Sequence, residues 1–263
     1  MKAGEAVMKA MDNVLASRAK TRPGGVSYIR NIFTGFIELH GDRRFGDDKA
    51  IIGGLAYLSD VPVTVIATEK GWDAKSSAAR NFGLPHPEGY RKALRLMRQA
   101  EKFHRPVICF VNTSGAYCGV GAEERGMGQA IAENLMEMTA LRTPIISVMT
   151  GEGGSGGALA LAVANEVWML EKSYYSVISP EGCASILYRD SKHAEQAAEN
   201  LKLTAADLLR MGVVERVFND EDYSAMFEEL SEALIEKTRE LMLFSADEVV
   251  AQRKKRFRNI GAV

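Results

Sequence analysis

The chain has 263 residues, 46% apolar and 25% charged, the profile of a soluble globule long enough for one large α/β domain or two small ones. Its formal net charge of −1 excludes a global field toward nucleic acid or membrane, so an anionic ligand must be met by a local site. Cys109, Cys118 and Cys183 are odd in number and lack a C-x-x-C pair, which excludes a disulfide framework or zinc ribbon within the chain.

Residues 3–20 place Val7, Met11, Val14 and Leu15 on one stripe and predict an amphipathic helix that "RPGG" ends. A second helix is predicted over 27–40, with Tyr28, Ile32 and Phe36 beside Ile29, Phe33 and Ile37. "GDRRFGDD" reads as a polar loop. "AIIGGLAYL" and "PVTVIAT" read as strands joined by "SD", and a helix over 90–103 is opened by "PEG". Next come the strand "PVICFVN", a helix over 126–140, the strand "PIISVM", a helix over 156–163, and the strands "EVWMLE" and "YSVIS". From Thr204 onward the pattern is nearly all helical. Paired strands before helices point to a repeated β-β-α unit. No apolar run reaches the roughly 18 residues of a membrane span, and the first residues lack a signal-peptide core, so the expected compartment is a reducing cytoplasm.

Two glycine-rich stretches follow successive buried strands: "NTSGAYCGVGAEERG" and "TGEGGSGGA". Turns at the carboxyl ends of neighbouring parallel strands converge on one crevice, where ligands bind in open α/β architectures. The second stretch carries three patterns. Gly151, Gly153 and Gly156 spell G-x-G-x-x-G with Glu171 about twenty residues on, as in a dinucleotide site. Only about ten residues separate Gly156 from the strand at Val167, short for that crossover. Gly153, Ser155 and Gly157 spell the G-x-S-x-G elbow of a serine hydrolase, but His193 is the only downstream histidine and its nearest acids share its segment. The third pattern asks least: backbone N–H groups at a helix start, bare of Cβ atoms, aimed at a developing oxyanion.

Other polar residues are less telling. Arg91, Arg95, Arg98 and Lys102 make a basic helix face, either solvated or aimed at ligand phosphates. Glu123 and Glu124 suit a helix start or the site, His86 reads as a loop residue, and Ser179 with Pro180 reads as a helix cap. Arg253, Lys254, Lys255, Arg256 and Arg258 read as a solvated or subunit-contacting helix end.

"GDDKAIIGGLA", "RNFGLPHPEGYRKALRLM", "TSGAYCGVGAEERG", "GEGGSGGALALA" and "YSVISPEGCASIL" together resemble the carboxyltransferase α-subunit family of bacterial acetyl-CoA carboxylases, from about Gly41 to Phe218. The resemblance implies an α/β crotonase-like (ClpP/crotonase superfamily) fold, a repeated β-β-α superhelix with flanking N- and C-terminal helices. Its parts would be an N-terminal helical segment at 1–40, a carboxyltransferase core at 41–220 and packed C-terminal helices at 221–263. It implies carboxyl transfer from carboxybiotin, borne on a biotin carboxyl carrier protein, to acetyl-CoA, giving malonyl-CoA for fatty acid synthesis. Gly156 and Gly157 match the family's oxyanion-hole glycines, and the hole would face the ureido oxygen of biotin. Gly115, Ala116, Tyr117, Gly119, Val120, Gly153 and Gly154 would line the substrate. The implied partners are a carboxyltransferase β subunit, in an α2β2 heterotetramer, and biotin carboxylase, with zinc confined to the β subunit and no membrane. The cofactor carries the hard chemical step and the protein orients it.

Ser114 and Cys118 stand where family members commonly carry proline, which predicts a looser turn. The competing readings are a stand-alone acyl-CoA hydratase or isomerase using Glu123, Glu124 or Glu152, and a non-catalytic scaffold subunit, which needs no exposed amide donors.

Overall fold

The computed structural model describes residues 9–262. Helix α1 (Ala10–Ser17) and helix α2 (Gly25–Ile32) open the chain, and strand β1 (Thr34–Glu38) follows. The beginning of the predicted first helix, including Val7, lies outside the described residues. The second predicted helix is corrected: it stops at Ile32, and 34–38 form an antiparallel strand on β2. Apolar side chains repeat through both halves, but Gly35 at φ +63 breaks the helix, and the edge of β2 supplies backbone partners.

Strands β2 (Ile51–Leu58) and β3 (Val61–Thr68) form the expected antiparallel hairpin. Short α3 (Ala74–Ala78) precedes α4 (Pro87–Lys102), which begins earlier than predicted with Pro87 in its first turn. Then come β4 (Val107–Thr113), α5 (Val120–Glu124), α6 (Met127–Ala140), β5 (Ile145–Gly154) and α7 (Ser155–Leu159). Strands β6 (Glu166–Leu170) and β7 (Tyr174–Ser176) lead to α8 (Pro180–Leu187), α9 (Ala194–Leu201) and α10 (Ala205–Arg210). Strand β8 (Arg216–Phe218), α11 (Tyr223–Met242) and α12 (Ala246–Asn259) complete the chain. The helical reading of the last quarter missed β8, whose three residues give no period of their own.

The main sheet runs β1-β2-β3-β4-β5-β6-β8, antiparallel at the β1–β2–β3 end and parallel from β3 onward, with β7 pairing only with the end of β5. The paired-strand expectation therefore holds as a true hairpin only for β2 and β3. Alternation along each central strand explains why the sheet is covered on both faces. Cys109 and Val111 of β4, Met149 of β5 and Met169 of β6 face one side with Leu96, Met97 and Ala130 of α4 and α6. Phe110, Val148 and Trp168 face the other with Tyr28 of α2 and Leu230 and Leu234 of α11. Among the described residues no helix is long and apolar enough to cross a membrane.

Candidate active site

The crevice lies where β4 and β5 end side by side. The predicted glycine turn is corrected in extent: β5 continues through Gly154, and its last residues pair with β4 at Thr113↔Gly153 and with β7 at Glu152↔Tyr174 and Gly154↔Ser176. Two flanking strands offer backbone partners there, so the polypeptide extends where sequence alone reads a bend. The bend falls at Ser155, whose φ of +56 is left-handed, and α7 starts at once without a side-chain cap. A non-glycine residue held there costs on the order of 1–2 kcal/mol, so the surroundings impose it.

The two glycine stretches touch. A Cβ on Gly154 would lie 2.1 Å from the Ser114 carbonyl oxygen, and one on Gly157 would lie 2.5 Å from the Ala116 nitrogen and 2.8 Å from the Tyr90 hydroxyl. The Thr113 hydroxyl holds both backbone groups of Gly115 in the first turn, accepting from its amide at 3.1 Å and donating to its carbonyl at 2.7 Å. That staple supplies rigidity which Ser114 and Cys118 do not. Tyr117 stacks on His86 at 4.3 Å, and the Tyr117 ring fills the space that a Cβ on Gly119 would enter. Val120, 75% exposed, points to solvent. Gly153 and Gly154 are buried in the ladder and Gly157 beneath the bend, while Gly115 and Ala116 pack against that buried floor.

Gly156 differs from its neighbours. It is half-buried, and a Cβ there would meet nothing closer than Ile131 Cγ2 at 3.7 Å. With Ser155 it lines a cleft of about 470 Å³. Leu159, Tyr175 and Leu208 line the cleft, Val177, 80% exposed, stands at its rim, and Arg256 and Phe257 of α12 also form its wall. The arrangement places the start of α7, whose first turn has no side-chain cap, beside a largely apolar cleft.

Glu152, three residues before the bend, is in the opposite environment. Its carboxylate is buried and accepts from Lys70 Nζ at 2.7 Å, Tyr174 Oη at 3.0 Å and Arg18 Nε at 3.3 Å. Burial alone would raise its pKa, but the Lys70 ammonium, then Arg18 and the tyrosine hydroxyl, hold it below the ordinary glutamate value. Arg18 also grips Glu181 at 2.6 Å, tying α1 to α8, and the Asn112 side-chain oxygen accepts from the Glu152 amide at 3.0 Å. Ionised and fully partnered, Glu152 holds the strand end and has no capacity left for proton transfer to a substrate.

The remaining candidates fall elsewhere. Glu123 and Glu124 are exposed on α5, and Glu171 accepts from Asn219 at 2.8 Å on the surface. His193 faces Tyr188 and Asp190, so the elbow reading of Ser155 lacks its base. Arg91 is engaged by Asp42 at 2.7 Å and Glu88 at 2.8 Å, Arg95 by the Gly41 and His40 carbonyls, and Arg98 by Glu137, which makes this face structural. Ser179 caps α8 as expected, accepting from the Gly182 amide. The basic run divides: Arg253 is buried, Arg256 reaches the cleft wall, and Lys254, Lys255 and Arg258 are exposed. Sequence reasoning missed the Glu152 clamp and the α12 wall, whose partners lie far apart in the chain.

Comparison with known proteins identifies the family and the fold. Residues 4–261 match the acetyl co-enzyme A carboxylase carboxyltransferase-like family. The chain is 58% identical over 258 residues to the acetyl-coenzyme A carboxylase carboxyl transferase subunit alpha of Ruminiclostridium cellulolyticum, covering 97% of this chain and 99% of that protein. It is 53% identical to the subunits beta/alpha protein of Natranaerobius thermophilus, spanning 42% of that longer chain. In fold it is similar to a Pseudomonas malonate decarboxylase hetero-tetramer in complex with coenzyme A, with a TM-score of 0.69 at 20% identity, covering 87% of this chain and 91% of that one. It is also similar to transcarboxylase 12S, with a TM-score of 0.69 at 18% identity over 89% of this chain, and spans about half of that chain, 46%. The α/β sheet with flanking helices is thus the crotonase-like fold that these carboxyltransferases share.

Proposed function

The chain belongs to the family of acetyl-CoA carboxylase carboxyltransferase α subunits, and from that premise we propose how its cleft serves the reaction. It is a biotin-dependent transferase subunit that works with a β partner to move a carboxyl group from carboxybiotin to acetyl-CoA, forming malonyl-CoA for fatty acid synthesis. In our reading the cleft beside Gly156 receives the bicyclic ring of biotin. The apolar walls match the ring's flat hydrocarbon faces, and the α7 first-turn amides of Gly156 and Gly157 donate to its ureido oxygen. The β subunit, which carries its own zinc, holds the coenzyme A thioester on the facing side. The carrier protein delivers the biotin, biotin carboxylase recharges it, and the assembly is α2β2.

The observation that carries this reading is Gly156. Its neighbours Gly154 and Gly157 are glycine because other parts of the chain press against them, whereas no internal contact requires glycine at 156. A bare Cα on the wall of an open cleft leaves room for something that approaches from outside. Carboxybiotin supplies the activated carboxyl group. The chain supplies orientation, dry walls and amide donors. The hydratase reading is not favoured, because Glu152 is bound by Lys70, Arg18 and Tyr174, and Glu123 and Glu124 point to solvent.

The test uses the complex reconstituted with the β subunit. Gly156→Ala retains the amide and adds one methyl to the cleft, and displacing a reacting group by about 1 Å costs up to ~100-fold. We expect turnover to fall at least tenfold with assembly and melting temperature unchanged. The isolated chain should be nearly inactive. Parental turnover of an assembled Gly156→Ala complex would make the bend a packing feature and remove the site from this cleft.

A further inference from the structure

The basic cluster near the C-terminus is not used by the reading above, and its buried member has an unusual setting. Arg253 of α12 is fully buried and, among the described residues, forms no salt bridge, its hydrogen bonds going to neutral oxygens. Its guanidinium donates to the carbonyls of Met138 at 2.6 Å, Leu141 at 2.7 Å and Thr143 at 2.7 Å, and to the Asn165 side-chain oxygen at 2.7 Å. Two of these acceptors, Met138 and Leu141, lie at the carboxyl end of α6, where the helix presents unpaired carbonyls and partial negative charge. Burial pushes the guanidinium pKa down to about 10, which leaves it charged at neutral pH. Asn165 also donates to the Val249 carbonyl at 2.8 Å and to Gln252 at 2.9 Å. An apolar anchor would tolerate sliding of α12. A planar fork with four oxygen partners does not, because any shift leaves a buried charge unpaired.

The residues fixed by that fork are specific. Positions 256 and 257 follow 253 at i+3 and i+4 on one stripe of the helix, and Ile260, its C-cap, follows in the extended region, while Lys254, Lys255 and Arg258 fall on the wet side. Arg256 binds Glu215 at 2.6 Å and the Val213 carbonyl, and its guanidinium lies 4.8 Å from the Phe257 ring centre. Arg256, Phe257 and Ile260 all line the same cleft as Ser155 and Gly156.

We propose that the last turns of α12 are the ring-clamping wall of the donor cleft: Phe257 and Ile260 confine the flat apolar part of biotin, and Arg253 is the positioning residue that sets their distance. This rests on the cleft being the biotin site. It predicts a selective effect, because the wall acts on the donor and not on the thioester.

The experiment follows reverse transfer in the reconstituted complex, with malonyl-CoA and free biocytin. The carboxyl group leaves malonyl-CoA for the ureido nitrogen, and the proton that nitrogen loses is matched by the one gained in forming acetyl-CoA. Phe257→Ala should raise KM for biocytin about five- to tenfold, with kcat at saturation within about twofold and KM for malonyl-CoA unchanged. Phe257→Leu should recover most of the loss. Ile260→Ala, at the helix end where truncation threatens folding least, should raise the same KM two- to fivefold. Arg253→Lys keeps the charge but loses the fork, and should move KM for biocytin in the same direction. A biocytin KM within twofold of the parent in an assembled Ile260→Ala and Phe257→Ala pair, or a rise in malonyl-CoA KM instead, would overturn the proposal. A turnover loss in Gly156→Ala beside silent α12 variants would remove only the wall and leave the donor cleft standing.

Discussion

The two sides of the bend at Ser155 are built by opposite means. On the strand side Glu152 is buried among Lys70, Arg18 and Tyr174, and Gly154 lies against the Ser114 carbonyl. On the helix side Gly156 lines a mainly apolar cleft, and a Cβ there would make only an ordinary contact, with Ile131 at 3.7 Å. The strand side is closed by charge pairing and backbone contact, which fix position at the cost of desolvating ions. The helix side leaves its amides uncapped. The polar clamp makes the bend rigid, and the apolar slot makes its donors effective, since a hydrogen bond strengthens where water is excluded. Glycine has a different meaning on each side: close packing at 154, access at 156.

That contrast is open to attack by substitution. The largest effect is expected on the closed side. Gly154→Ala places a methyl 2.1 Å from the Ser114 carbonyl oxygen, which only a backbone shift relieves. Overpacking of this kind costs about 1–3 kcal/mol or more, which lowers the melting temperature by several degrees. Calorimetry of the chain measures it, and a melting temperature within a degree of the parent would show that the two turns are not in rigid contact.

A smaller effect is expected from the clamp, and it has a sign in pH. The folded pKa of Glu152 is depressed, so its contribution is fully present above the unfolded glutamate pKa near 4.3 and is lost as pH falls through the lower folded value. Glu152→Gln should therefore destabilise the chain at pH 7 and converge with the parent in acid, as read from denaturant midpoints between pH 7 and pH 3. A constant gap across that range would mean that the ion pairs contribute nothing beyond shape.

The smallest effect sharpens the other side. Ser155 is exposed, and its role is to turn the chain at positive φ. Ser155→Ala keeps a comparable backbone preference and should retain turnover within a fewfold. A covalent adduct with a serine-directed reagent would contradict this assignment and restore the hydrolase reading.

Much of the molecule was legible along the chain. Short apolar runs located the central strands, and "PEG" and "SPEG" marked helix starts that the structure places at Pro87 and Pro180. Five ordered motifs identified the family from their residues alone, because local turn chemistry and close backbone approach demand particular residue types at particular spacings. Other features depended on partners distant in sequence. Residues 34–38 became a strand because β2 presented an edge, and "GEGG" became strand because β4 and β7 flank it. Glu152 looked like a candidate acid until Lys70 and Arg18, 82 and 134 residues away, closed around it. The basic run near the end reads as a solvated or subunit-contacting helix end, yet Arg253 crosses to the carboxyl end of α6, 115 residues earlier. Sequence by itself determined the central strands, the α8 cap and the glycine-rich stretches that meet, since these follow from backbone sterics and neighbouring side chains. Only the tertiary structure decided which of those glycines lines the cleft and which charges are buried, because desolvation and pairing belong to the packed surroundings and not to the residue.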